Sequence, residues 1–109
     1  MQTIGNSTFS NCTGIAKNLT IPNSVTSIGD LAFYDCKHMN SVVFGKNMKT
    51  IGKYAFCDCE YLTSSLTIPN SIISIGDGAF QNCQQLTNLK LGKFVNNYFF
   101  FFFKFFFFF

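Results

Sequence analysis

Tryptophan is absent from the 109 residues, and His38 is the single histidine. Those absences thin the prospects for acid–base catalysis, which histidine most often carries at neutral pH. Charge is scarce as well: eight Lys and Arg stand against five Asp and Glu, with no arginine-rich cluster. A net +3 spread over separated lysines leaves no electrostatic footprint for nucleic acid. Residues 1–7 hold neither a basic region nor an apolar run of about 7–15 residues, so no signal peptide is visible. No G-x-x-x-x-G-K-S/T loop and no G-x-G-x-x-G occurs.

What the chain does hold is a repeat. IGNSTFSNC (residues 4–12), IGDLAFYDC (28–36), IGKYAFCDC (51–59) and IGDGAFQNC (75–83) superimpose. Successive isoleucines lie 28−4 = 24, 51−28 = 23 and 75−51 = 24 residues apart. The Phe column (Phe9, Phe33, Phe56, Phe80) and the Cys column (Cys12, Cys36, Cys59, Cys83) keep the same offsets. Between these segments run further apolar columns: Ile15/Met39/Leu62/Leu86, Leu19/Val42/Leu66/Leu89, Ile21/Phe44/Ile68/Leu91 and Val25/Met48/Ile72. The second and third are two residues apart, the period of a strand. Pro22, Gly45, Pro69 or Gly92 then ends the strand and turns the chain.

One such unit cannot bury its apolar residues alone, whereas stacked units form a continuous core. The expected architecture is an α/β repeat solenoid of the leucine-rich-repeat type, over residues 1–93. It has about four coils of 23–24 residues, a parallel strand ladder and uncapped ends. Gly5, Gly29, Gly52 and Gly76 mark a tight turn, and the A-F-x-x-C stretch reads as a short helix or helical turn.

The pattern C-x-x-L-x-x-(x)-L-x-I-P-x-S-V-x-x-I-G-x-x-A-F resembles the BspA-like class of leucine-rich repeats, over roughly residues 3–93. The resemblance implies a surface antigen or adhesin that binds host matrix or cell-surface protein, and a cell-surface or secreted location. Relatives of this type usually carry more repeats with a secretion signal or anchor. With four units and a start in mid-repeat, a truncated gene product or a repeat fragment without independent function is the alternative reading.

Cysteine invites two chemical readings, and the register answers both. Cys36, His38, Cys57 and Cys59 supply four residue types that zinc favours, but position 38 stacks on Tyr61, and position 57 on Tyr34 and Gln81. The columnar cysteines are therefore expected as small buried hydrophobes. In-column disulfides are disfavoured because equivalent side chains point the same way. Cys57, off the column, is expected to be an exposed free thiol. Asp30, Asp35, Asp58, Glu60 and Asp77 read as solvated turn residues. Neither a metal, a cofactor nor a catalytic site is expected.

Strand alternation selects an outward, concave face comprising Asn18, Thr20, Ser41, Val43, Ser65, Thr67, Asn88 and Lys90. It is small, polar and nearly uncharged, suited to protein or glycan contact without aromatic anchors. Three N-x-S/T sequons occur, at Asn6, Asn11 and Asn18, and matter only in a secreted chain. From residue 94 the repeat becomes illegible, and ten of the sixteen Phe fall within residues 99–109. Residues 94–109 are a low-complexity tail, too short and too interrupted by Lys104 for a spanning helix of about 20 residues. Uninterrupted Phe is aggregation-prone, so self-association through the tail and the uncapped ends is expected. The reading that results is a protein-recognition or adhesion module, not an enzyme.

Overall fold

A computed structural model describes residues 2–15, 17–63, 66–86 and 89–90; the Phe-rich tail expected at 94–109 lies outside them. Each repeat is one coil carrying two short strands. The first coil holds β1 (Gln2–Ile4) and β2 (Asn18–Thr20), and the second β3 (Val25–Ile28) and β4 (Ser41–Val43). The third holds β5 (Thr50–Ile51) and β6 (Leu66–Thr67), and the fourth β7 (Ser74–Ile75) and β8 (Leu89–Lys90).

All pairing is parallel and joins equivalent residues of adjacent coils, apart from a register shift at Gln2, which pairs Val25. β2 pairs β4 with Leu19 opposite Val42, and β6 pairs β8 with Leu66 opposite Leu89. These are the strands expected from the two-residue spacing of the apolar columns. A second ladder was not: β1, β3, β5 and β7 form a four-stranded sheet. Its register sets Ile4 on Ile28 on Ile51 on Ile75, and Thr3 on Ser27 on Thr50 on Ser74. Isoleucine turns inward; on the outer side the Ser27 hydroxyl donates to Thr3 Oγ1 at 3.1 Å.

Beyond each glycine the chain takes a string of turns instead of a helix. Gly29 O accepts from Ala32 N (3.3 Å) and Leu31 O from Tyr34 N (3.1 Å). The amides in between donate to the next coil: Leu31 to Lys53 O (2.9 Å), Phe33 to Ala55 O (2.8 Å) and Asp35 to Cys57 O (2.8 Å). Backbone donors thus alternate between three residues back and the neighbouring coil. An α-helix, which spends every N–H four residues back, has none to offer sideways. This corrects the helical form expected for A-F-x-x-C, and no α-helix occurs among the described residues.

The turns need two left-handed residues per coil. Ser7 and Asn11, Leu31 and Asp35, Tyr54 and Asp58, Gly78 and Asn82 have φ between 55° and 66°. Asn and Asp tolerate that region better than other non-glycine residues, so the residue before each columnar Cys is Asn or Asp throughout.

The core runs along the solenoid axis. Phe9, Phe33, Phe56 and Phe80 stack with centroids 5.3, 5.1 and 5.4 Å apart and planes within 14°. Phe44 meets Phe56 edge-on at 5.9 Å, which ties the β4 side to the stack. Ile, Met, Leu and Ala columns fill the remainder, and no polar or charged residue is fully buried among the described residues.

Candidate functional site

Two places hold residues with chemistry beyond packing: the cysteine column and the outer face of β2, β4, β6 and β8.

Cys36, Cys59 and Cys83 are buried, as expected, and each thiol has a partner. The Sγ–H groups donate to the Phe carbonyl of the preceding coil: Cys36 to Phe9 (3.1 Å), Cys59 to Phe33 (3.2 Å), Cys83 to Phe56 (3.1 Å). Phe9 O also accepts Cys12 N–H (3.1 Å), and Phe56 O accepts Cys59 N–H (3.3 Å). At Phe9 and Phe56 the thiol therefore adds a second hydrogen bond to a carbonyl that already accepts an amide, which neither Ala nor Val could do. All five cysteines are free.

Cys57 departs from expectation. It is buried at 6% exposure, its short side chain lying in register between the larger Tyr34 and Gln81. Its thiol faces Asp58 Oδ1 at 3.6 Å. Asp58 also accepts from Asn82 Nδ2 at 2.9 Å and from the Tyr34 hydroxyl, and its negative charge raises the tyrosine pKa. Burial pushes the Cys57 and Cys83 thiols up to about 12 and raises Cys36 and Cys59 too. These thiols serve as hydrogen-bond donors, not nucleophiles. Among the described residues no three His, Cys, Asp or Glu gather as a metal site.

A pH dependence follows. An unfolded thiol ionises near 9, whereas the folded thiols hold their protons to higher pH. A raised folded pKa gives stability that is full below 9 and is lost as pH rises towards 12. The melting temperature should therefore fall progressively over that range in thermal scans. A Cys36→Ala/Cys57→Ala/Cys59→Ala/Cys83→Ala variant, less stable at pH 7, should show a flatter alkaline slope; equal slopes would reject the assignment.

The outer strand face is built by alternation. Leu19, Val42 and Leu66 turn into the core, and Asn18, Thr20, Val43 and Thr67 are exposed, with Ser41 half-buried. The ladder sets Asn18 beside Ser41 and Thr20 beside Val43, and Thr67 beside Lys90. The Ser41 hydroxyl donates to Asn18 Oδ1 at 2.8 Å, so part of this face's polarity is satisfied internally. Of the expected face, Ser65 and Asn88 lie outside the described residues, as does the side chain of Lys90.

One feature of this face was not legible from alternation. Val43 is 58% exposed and stands at the edge of a shallow cleft of about 210 Å³ lined by Val42, Val43, Phe44, Thr67 and Pro69. That volume is below the roughly 300–1,000 Å³ of small-molecule sites and suits a single apolar side chain. Phe44 and Pro69 line it from two adjacent coils, a juxtaposition that neither sequence column reveals.

Comparison with known proteins places this geometry. A family model described as a BspA type leucine rich repeat region (6 copies) matches residues 1–105. A leucine-rich repeat protein from Bacteroides capillosus ATCC 29799 superimposes with a TM-score of 0.74 at 31% identity, covering 84% of this chain and 63% of that one. A leucine rich cell surface protein from Faecalibacterium prausnitzii A2-165 gives 0.60 at 30% identity, covering 84% and 31%. A leucine rich repeat protein from T. pallidum shares the fold with a TM-score of 0.56 at 21% identity, covering 89% and 70%. This chain therefore spans less than two thirds of the first two structures' length. No curated protein matches it.

Proposed function

The chain belongs to the BspA-type leucine-rich-repeat family, and from that premise we propose that it recognises protein through the outer face of β2, β4, β6 and β8. Repeat scaffolds of this family serve protein interaction, and their regular strand ladders give extended contact surfaces. The observation that carries the reading to this face is the Val43 cleft, an apolar recess in an otherwise polar, nearly uncharged ladder.

A partner suited to it inserts one aliphatic or aromatic side chain against Val43, Phe44 and Pro69. Thr20, Ser41 and Thr67 then supply hydrogen bonds around the rim, the usual division between anchor and periphery. The family resemblance points to host matrix or cell-surface protein as the partner class, hence to adhesion. No catalysis is assigned: a nucleophile, base and orienting group are nowhere brought together among the described residues.

Immobilised matrix proteins should show saturable binding to the chain by biolayer interferometry. Val43→Asp places a charge in the recess without touching the core and should weaken that binding about tenfold or more. Asn18→Ala with Ser41→Ala, on the polar side of the face, should weaken it less. Absence of saturable binding, or binding indifferent to Val43→Asp, would remove the strand face from consideration and favour a fragment with no function of its own.

A further inference from the structure

The outer ladder is interrupted in the middle of the molecule. β2 pairs β4 and β6 pairs β8, but β4 and β6, which lie side by side, are not joined among the described residues. Elsewhere the second and third coils are firmly bound: β3 pairs β5, and Phe33 N donates to Ala55 O at 2.8 Å. At the end of the first strand pair, Ile21 N donates to Val43 O at 2.8 Å. The equivalent donor and acceptor one coil on are Phe44 N and Thr67 O, and no hydrogen bond joins them. The ladder register turns both groups toward the gap between the coils. Both residues line the cleft beside Val43.

One position explains the interruption. Gly45 follows Phe44, and a Cβ there would lie 2.6 Å from Pro22 O and 2.9 Å from Ile21 O. The second coil reaches the first at this point only because residue 45 has no side chain. The third coil holds Pro69 in the same place. A proline carries a Cβ and cannot come so close to the backbone of Phe44 and Gly45, so its coil stands off there. The loop beyond shows the same separation. Asn47 Nδ2 donates to Asn23 O at 2.9 Å, whereas Ser71, in the position of Asn47, has a buried hydroxyl without a partner.

We propose that this gap binds the acetamido group of an N-acetylated amino sugar. Three properties of the recess define that group. It offers one donor, Phe44 N–H, and one acceptor, Thr67 C=O, neither spent on the protein, and backbone groups shielded from water demand partners. Val43 and Pro69 give it apolar walls, and about 210 Å³ holds a few heavy atoms, not a whole sugar ring. An acetamido group has a carbonyl to accept from Phe44, an N–H to donate to Thr67 and a methyl to meet Val43 and Pro69. An aliphatic side chain matches the shape but leaves both backbone groups unspent, and an Asn or Gln amide has no methyl. An inserted peptide strand needs about 4.8 Å on either side of it, which neighbouring coils do not leave. The sugar ring then lies on the polar strand face, where the Thr67 side chain is exposed. This inference rests on the cleft being the binding point of that face, and it adds the chemical class of the group bound.

Amide-resolved nuclear magnetic resonance of the full chain tests it. In the free protein Phe44 N–H should exchange with solvent at least about tenfold faster than Phe33 N–H, which is bonded across the same two coils. N-acetylglucosamine should shift the Phe44 and Thr67 signals saturably and slow Phe44 exchange. Glucose, with a hydroxyl in place of the acetamido group, should do neither. Pro69→Gly should let β6 close on β4, protecting Phe44 without sugar and abolishing the shifts, whereas Pro69→Ala keeps a Cβ and should keep them. A parent Phe44 amide as protected as Phe33, or equal shifts with the two sugars, would overturn the proposal. Matrix protein that binds and is sensitive to Val43→Asp, with no shift from the sugar, overturns the acetamido assignment and leaves the protein reading standing. Sugar shifts without matrix binding do the reverse.

Discussion

Replacing Phe56 with alanine should lower the stability of the solenoid by about 3–5 kcal/mol, the range for large core aromatics. Phe56 is fully buried and is sandwiched between Phe33 at 5.1 Å and Phe80 at 5.4 Å, with Phe44 against its edge at 5.9 Å. Its removal opens a cavity that touches the second, third and fourth coils at once. In a solenoid, stability is close to a sum of coil terms and nearest-neighbour interfaces, so losing a residue shared by two interfaces weakens both. Total stabilities of about 5–15 kcal/mol are usual for folded domains, and a loss of this size unfolds a large share of the molecules. Phe9→Ala is the comparison. Phe9 has one stacked neighbour and is partly exposed, so its cost should be less than half as great. Urea unfolding followed by circular dichroism measures both, and equal shifts in midpoint would show that the ring stack is not the spine of the core.

The stack was legible because each coil contributes one residue of one type at one position. The eye needs only the period to find Ile, Phe and Cys in register, and the period alone implies parallel pairing. The second ladder escaped because its apolar columns, Val25/Met48/Ile72 and Ile28/Ile51/Ile75, stand three residues apart instead of the two that mark strand alternation. Its signal was vertical, in the Ser or Thr before every columnar Ile: Thr3, Ser27, Thr50 and Ser74. The turns escaped for a different reason. Phe9 and Cys12 are three apart, a spacing shared by a helix face and by a closed turn. Only the Asn or Asp before each Cys separates the two, because it marks a left-handed residue that an α-helix cannot contain.

Cys57 shows the same limit from the side of burial. Equivalent positions hold Ser10, Tyr34 and Gln81, none of them a core residue type, so variability suggested exposure. A short side chain between two long ones is nevertheless shielded by them. For the candidate face, alternation marked out Thr20, Val43 and Thr67, all exposed, because inside and outside are set by the strand itself. It gave no hint of the Val43 cleft, which depends on how Phe44 of one coil and Pro69 of the next leave space between them.

Gly52→Ala should be as damaging as any truncation of the core, although it adds a single methyl group. The added Cβ would sit 2.5 Å from both Asp30 N and Gly29 C, well inside any real contact, and the opposing atoms are backbone that cannot rotate away. Relief requires the third coil to move off the second. That movement would strain the Gly52 N to Ile28 O bond at 2.8 Å and the Lys53 N to Asp30 Oδ1 bond at 2.8 Å, and would loosen the Phe33–Phe56 contact behind them. Overpacking usually costs about 1–3 kcal/mol where side chains can adjust; with backbone on both sides the loss should reach or exceed the upper end. Gly14→Ala isolates this cause from any general intolerance of alanine. Nothing lies within 4 Å of a Cβ at Gly14, so that change should be neutral or stabilise by about 0.4–1 kcal/mol through the unfolded chain. In thermal melts Gly52→Ala should unfold well below the parent and Gly14→Ala with it or above it, and a Gly52→Ala protein that melts with the parent would mean that the coils do not stack backbone on backbone.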